Sequence, residues 1–216
     1  MLIALGTTLV LGRSRDLNLP NLMTTLALTL GGAVAGGAGL GFLLHGEFGV
    51  ASMGAVFGGG ALAIATVPFF FGDDRRDAYD VLISACVLGL LTARVGCHFN
   101  GCDIGGQTDF FWGVVPHAPY HTSPAYEFKV HPFPWLIIVP AALAFVGVWL
   151  RARKPGHVAV GVALGYLVVR FFAEFFRAPS RWETAGLHLN QWLVLLAMVC
   201  VVFWARSILR RTESQP

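Results

Sequence analysis

Six largely apolar runs of membrane-spanning length constrain this sequence more than any other feature. They fall at about 21–45, 48–71, 79–99, 134–151, 157–177 and 190–207. Crossing a hydrocarbon core takes roughly 20 apolar residues of helix, and in lipid only helices or closed barrels satisfy every backbone polar group. The charged fraction of 12% is about half that of a soluble domain. We therefore predict an all-α, polytopic membrane bundle that forms one transmembrane domain over residues 1–216.

The first apolar segment, Met1–Gly12, is shorter than the six runs. At about 1.5 Å per residue it is too short to cross a bilayer alone. We predict either a partly inserted helix or the end of a longer one. It has no basic leading region and no small-residue cleavage site, so we expect no signal peptide.

Basic residues are distributed unevenly between the two sides of this predicted topology. Ten of the 15 lie on one side: Arg13, Arg15, Arg75, Arg76, Arg151, Arg153, Lys154, Arg206, Arg210 and Arg211. Cytoplasmic loops carry the excess of Lys and Arg, so we predict a cytoplasmic C-terminus. The Arg94–Cys102 segment and the loop at 101–133 then face outward. Because that loop is rich in aromatic rings, which favour the headgroup zone, we predict an interfacial lid.

Glycines cluster in the first two full spans, at Gly31–Gly39 and Gly54–Gly60. Small residues at helical spacing let two helix backbones approach closely in a membrane. We predict that these two helices pack together inside the bundle. Without a strand–turn–helix context, the glycines do not indicate a phosphate-binding loop.

The segment from Arg94 to Cys102 places an arginine and two cysteines where a span ends. A charge this close to hydrocarbon is costly and indicates function. Cys97 and Cys102 are compatible with a disulfide, with a reactive thiolate whose pKa Arg94 lowers, or with a metal site that includes His98. The spacing matches known zinc sites poorly, so we predict no metal and no cofactor.

A second polar group lies within the fifth full span. Tyr166, Arg170 and Glu174 are spaced at i, i+4 and i+8 and share one helix face. An Arg170–Glu174 ion pair that only locks two helices together is one interpretation; a functional site is the other, and burial in a membrane favours it. Arginine binds phosphate bidentately, so Arg94 and Arg170 facing one cavity would suit an anionic lipid headgroup.

Three segments together resemble the prolipoprotein diacylglyceryl transferase family. Arg94–Cys102 has the register of the family's R-x-G-N-F-x-N-G-E, and His121–Glu127 resembles H-P-[ST]-x-x-Y-E. Tyr166–Pro179 is similar to Y-G-L-x-R-F-x-x-E-x-F-R-x-P. A fourth family segment, x-M-G-Q-x-x-S, is similar to the residues around Gln191. By itself, the His121–Glu127 segment reads as ordinary helix capping.

The resemblance implies a seven-helix enzyme of the bacterial inner membrane. It would move a diacylglyceryl group from phosphatidylglycerol, or another anionic phospholipid, to the lipobox cysteine of a prolipoprotein, with no role for nucleic acid. The implied catalytic positions are Arg170, Tyr166, Glu174 and Arg94, and the thiol pair Cys97 and Cys102 adds two catalytic candidates that the family pattern does not contain. The implied substrate-binding positions are Arg94, Gly96, Asn100, His121, Tyr126, Glu127, Arg177 and Gln191.

The sequence departs from the family pattern at three polar positions. Met53 falls where the family's H-G-G-L segment has a histidine, and Cys97 and Cys102 replace an asparagine and a glutamate. These departures leave two alternative hypotheses beside the transferase. One is a protein that acts through the two cysteines in thiol–disulfide chemistry or in sulfur handling or transport. The other is a non-catalytic, lipid-binding membrane protein.

Overall fold

The computed structural model describes residues 2–45, 51–100, 105–115, 128–152, 154–177 and 183–209. They form seven helices: α1 (Leu2–Ser14), α2 (Leu19–His45), α3 (Ser52–Phe71), α4 (Arg75–Asn100), α5 (Phe133–Arg151), α6 (His157–Ala173) and α7 (Leu189–Leu209). A short antiparallel hairpin of β1 (Glu183–Thr184) and β2 (Leu187–His188) precedes α7.

Within the described residues, five continuous helical stretches are long and apolar enough to cross a membrane. The longest, Ser52–Phe99, contains both α3 and α4, which meet at a 3-10 turn over Gly72–Asp74. All six predicted apolar runs are helical, and the helix boundaries lie within a few residues of the predicted ones. The short helix α1 is apolar but below spanning length. The chain is a multi-pass helical membrane protein.

Helices α2 and α3 pack backbone to backbone, as their glycine spacing predicts. A Cβ atom built on Gly36, Gly54 or Gly58 would overlap the backbone of the opposite helix. Gly54 and Gly58 are four residues apart on α3, and Gly32 and Gly36 are four residues apart on α2, so they form a small-residue contact of the kind that brings membrane helices together.

We expect Gly58→Ala to destabilise the protein by about 1–3 kcal/mol, because the new methyl group overlaps the α2 backbone and forces the helices apart. Gly60→Ala, on the same helix, is the matched control, since nothing lies within 4 Å of a Cβ there. The measurement is the unfolding midpoint in detergent micelles. Equal midpoints for both variants would contradict a close α2–α3 contact.

A buried carboxylate fixes α6 against α4. Asp80 of α4 is completely buried and accepts hydrogen bonds from the backbone N–H groups of Gly156 (2.9 Å) and Ala159 (2.7 Å). An acid at this position satisfies the unpaired N–H groups at a helix N-terminus and interacts favourably with the helix dipole. The contact sets the position of α6, whose other end carries Arg170.

Candidate functional site

The guanidinium group of Arg170, in the last turn of α6, is the centre of the site. Arg170 and Glu174 are each only 1% exposed. Nη1 of Arg170 donates a hydrogen bond to one carboxylate oxygen of Glu174. Within the described residues, Nε and Nη2 of Arg170 have no hydrogen-bond partner. Leaving buried donors of a charged group unpaired is costly, so the two N–H groups mark a place for an acceptor.

The second carboxylate oxygen of Glu174 has two donors of its own. Nη1 of Arg177 and Nδ2 of Asn190 each lie 3.0 Å from it. Helix α6 ends at Ala173, and Glu174 begins a single 3-10 turn. Glu174 therefore joins the end of α6 to the first turn of α7 through a hydrogen-bonded network.

Two further buried residues, Gln191 of α7 and Tyr166 of α6, lie near this network. Gln191 is completely buried; its amide N–H donates to the carbonyl of Phe171 (3.4 Å), and its side-chain oxygen accepts from the backbone of His188 (2.9 Å). Tyr166 is buried one helical turn before Arg170. The predicted shared face of Tyr166, Arg170 and Glu174 is present in the structure.

Helix α4 brings a second arginine to the site. Arg94 is 8% exposed, and its positive charge acts on Arg170. Gly96 follows on an exposed part of the helix with open space around its Cα, and Cys97 is half-buried in the last turn. The side chain of Asn100 and the predicted site residues Cys102, His121, Tyr126 and Glu127 lie outside the described residues.

Met53 occupies a packed apolar position. Its side chain is 1% exposed and belongs to a buried cluster with Leu167, Val194 and Ala197. Leu167 is one helical turn before Arg170. The side chain at position 53 therefore contributes packing and no ionisable group next to the arginine.

The described parts of the loop between α4 and α5 are tied through Gly106 to the 3-10 turn that follows α6. The N–H of Gly106 donates to the carbonyl of Phe176 (2.8 Å), and its carbonyl accepts from the N–H of His131 (2.9 Å). The indole N–H of Trp112 donates to Nδ1 of His131 (2.9 Å). Burial lowers the pKa of His131 below its usual value, which favours the neutral imidazole that accepts this bond. The two described parts of the loop are thus fastened beside Arg177.

Two residues of the site were missed by the sequence analysis. Asn190 donates to Glu174, and Phe133 places its ring beside two arginines. Asn190 stands next to the predicted Gln191 at the start of an apolar span, so its polarity was a usable signal. Phe133 is one of 17 phenylalanines, and no sequence pattern distinguishes it.

The family model described as prolipoprotein diacylglyceryl transferase matches residues 4–206. The chain belongs to this family. It is 32% identical over 170 residues to the phosphatidylglycerol–prolipoprotein diacylglyceryl transferase of Cupriavidus necator, an alignment that covers 70% of this chain and 59% of that protein. It is 33% identical over 177 residues to the protein of the same name from Verminephrobacter eiseniae, covering 73% and 60%.

A third relative with this name, from Methylibium petroleiphilum, is 34% identical over 172 residues, covering 70% of this chain and 62% of that protein. This member of the transferase family spans about three fifths of the length of the relatives it matches. No solved structure matches the chain.

Proposed function

We propose that the chain transfers a diacylglyceryl group from phosphatidylglycerol to the cysteine thiol of a prolipoprotein. Membership of the transferase family supports the reaction class. The names of the relatives identify the lipid donor and the protein acceptor for those proteins. The proposal extends both substrates to this chain, with the signal segment of the prolipoprotein as the part that it binds.

The unpaired donors of Arg170 are the observation that carries this proposal. Nε and Nη2 are buried and lack partners within the described chain, and Arg94 and Arg177 add positive charge around them. A guanidinium edge with two free N–H groups matches two oxygens of a phosphate. The surrounding helices expose apolar side chains on their outer faces, which suits the acyl chains of a lipid.

The chemistry is alkylation of a thiol by a glycerol carbon. The sulfur forms a bond to the terminal carbon of the diacylglyceryl group, the bond from that carbon to the phosphate oxygen breaks, and the thiol proton is released. Glycerol phosphate leaves with the bonding electron pair. Because negative charge grows on the departing phosphate, fixed cations stabilise the transition state more than the ground state. Arg170 and Arg94 are the residues we assign to this task.

The other residues of the proposed site orient Arg170 or bind the substrates. Tyr166 and Glu174 orient Arg170, and Cys97 and Cys102 stand at the two positions where polar family residues are replaced. Lipid and acceptor are bound by Arg94, Gly96, Asn100, His121, Tyr126, Glu127, Arg177 and Gln191. The bundle is a single domain in the bacterial cytoplasmic membrane. The end with Arg13, Arg75, Arg151 and Arg206 faces the cytoplasm, by the excess of basic residues there, and the loop at 101–133 covers the outer face.

Purified chain in detergent, given phosphatidylglycerol and a synthetic prolipoprotein signal peptide, is expected to attach diacylglyceryl to the peptide cysteine. Mass spectrometry of the peptide and measurement of glycerol phosphate release report the two products. A peptide with serine in place of its cysteine is the control. A well-folded chain that modifies no peptide, and does not rescue a strain depleted of its own transferase, would overturn the proposal.

A further inference from the structure

Phe133 lies against both arginines at the end of α6. It is the first residue of α5 and is completely buried. The guanidinium carbon of Arg170 lies 5.3 Å from the centre of its ring, and that of Arg177 lies 5.7 Å away. Both distances are within the range at which a cation is attracted to an aromatic face.

The carboxylate at this site is already shared. Glu174 uses one oxygen for Arg170 and the other for Arg177 and Asn190. Arg94 adds further positive charge near Arg170. Burying the Arg170 guanidinium among other cations carries a desolvation cost that nearby groups must offset.

An aromatic ring offsets that cost in a way that a second carboxylate cannot. A carboxylate would accept hydrogen bonds from Arg170 and occupy Nε and Nη2. The face of a ring attracts the cation through its quadrupole and brings no oxygen that would compete with a phosphate for the N–H donors. In the structure, Arg170 has this ring contact and still has two donors without partners among the described residues.

The backbone around Phe133 is held in place on both sides. Pro132 and Pro134 flank it, and their rings restrict the chain at the helix start. The N–H of Phe133 donates to the carbonyl of His131 (2.7 Å), whose imidazole accepts the hydrogen bond from Trp112. The backbone that carries the ring is therefore held by contacts other than those with the arginines.

We propose that Phe133 is a positioning residue of the transfer reaction: its ring holds the guanidinium groups of Arg170 and Arg177 and leaves the N–H donors of Arg170 to the phosphate of the lipid. The proposal rests on the transferase function given above. It assigns to a phenylalanine a part in anion recognition, since the ring determines where the two cations sit.

Fluorinated phenylalanines at position 133 test this assignment, because each added fluorine withdraws electron density from the ring face and changes its size little. We expect kcat/KM for phosphatidylglycerol to fall stepwise from one to three fluorines, by about tenfold in total, while the thermal midpoint stays unchanged. Phe145 is the matched control, since its half-buried ring, also on α5, packs on Trp149. The same substitutions there should leave the rate unaltered.

The affinity of each variant for phosphatidylglycerol in mixed micelles is measured in parallel. If neither the wild-type protein nor any variant transfers lipid, but lipid affinity falls along the fluorine series, the transferase function fails while the role of the ring in holding the arginines for a phosphate stands. If rate and affinity are both independent of fluorine, or if the wild-type chain binds no phosphatidylglycerol, the positioning role is overturned. In that case Phe133→Leu, which removes both ring contacts, should lower the thermal midpoint and leave the transfer rate and the lipid affinity unchanged.

Discussion

Arg170→Gln is expected to reduce the transfer rate by about 10³-fold. Removing one preorganised donor to a developing oxyanion typically costs 10²–10³ in rate, and this substitution removes two unpaired donors together with a buried positive charge. Arg170→Lys should also lose most of the activity, because an ammonium group keeps the charge but lacks the planar pair of N–H groups. Both rates are measured with phosphatidylglycerol and the signal peptide at saturating concentrations.

Arg206→Gln is the control for these two variants. Arg206 is exposed on α7 and also contacts a phenylalanine ring, that of Phe203, at 5.8 Å. Its replacement should leave the rate within about twofold of wild type, since a ring contact at the surface is worth only about 0.5–1 kcal/mol. If folded Arg170→Gln retained more than a tenth of the activity, Arg170 would not stabilise the leaving group.

The helices could be predicted because hydrocarbon leaves the backbone few alternatives. A run of apolar residues at 134–151 must form a helix in lipid, and α5 occupies Phe133–Arg151. The glycines of α2 and α3 show the same logic, since a close contact at Gly58 needs only the absence of a side chain. Helix formation and the glycine contact both depend on the spacing of residues along the chain, which can be read directly from the sequence.

The candidate site was predictable only along one helix. The spacing of Tyr166, Arg170 and Glu174 places them on one face before any tertiary contact is considered. The partners that complete the site come from elsewhere in the chain: Asn190 from α7 and Phe133 from α5. These contacts depend on the packing of separate helices, which periodicity does not reveal.

Position 53 shows a second limit on what can be predicted from the sequence. The departure from the family pattern, methionine for histidine, was visible in the sequence, but its environment was not. In the structure, Met53 packs against Leu167 and Val194 in a closed apolar cluster. Side-chain chemistry can be read from sequence, whereas burial of this kind depends on which helix faces meet.

Glu174→Gln is expected to destabilise the protein by about 3–5 kcal/mol. Glutamine keeps the shape of glutamate but leaves Arg170 buried without its counter-charge, and removing one partner of a buried ion pair costs this much. Glu183→Gln is the matched control, because Glu183 is about half exposed and its ion-pair partner His188 lies 3.4 Å away. There we expect a change below about 1 kcal/mol. Unfolding by denaturant in micelles gives both values.

The double variant Arg170→Gln/Glu174→Gln separates stability from catalysis. Because the double variant leaves no uncompensated charge at position 170, and the uncompensated buried charge is the main cost of removing one partner, it should recover most of the stability that Glu174→Gln loses. Its transfer rate should remain as low as that of Arg170→Gln, since the donors to the phosphate are still missing. If the double variant were as unstable as Glu174→Gln, the cost would lie with Arg177 and Asn190, the other donors to Glu174. Restored activity alongside restored stability would show instead that the arginine has a structural role and takes no part in the chemistry.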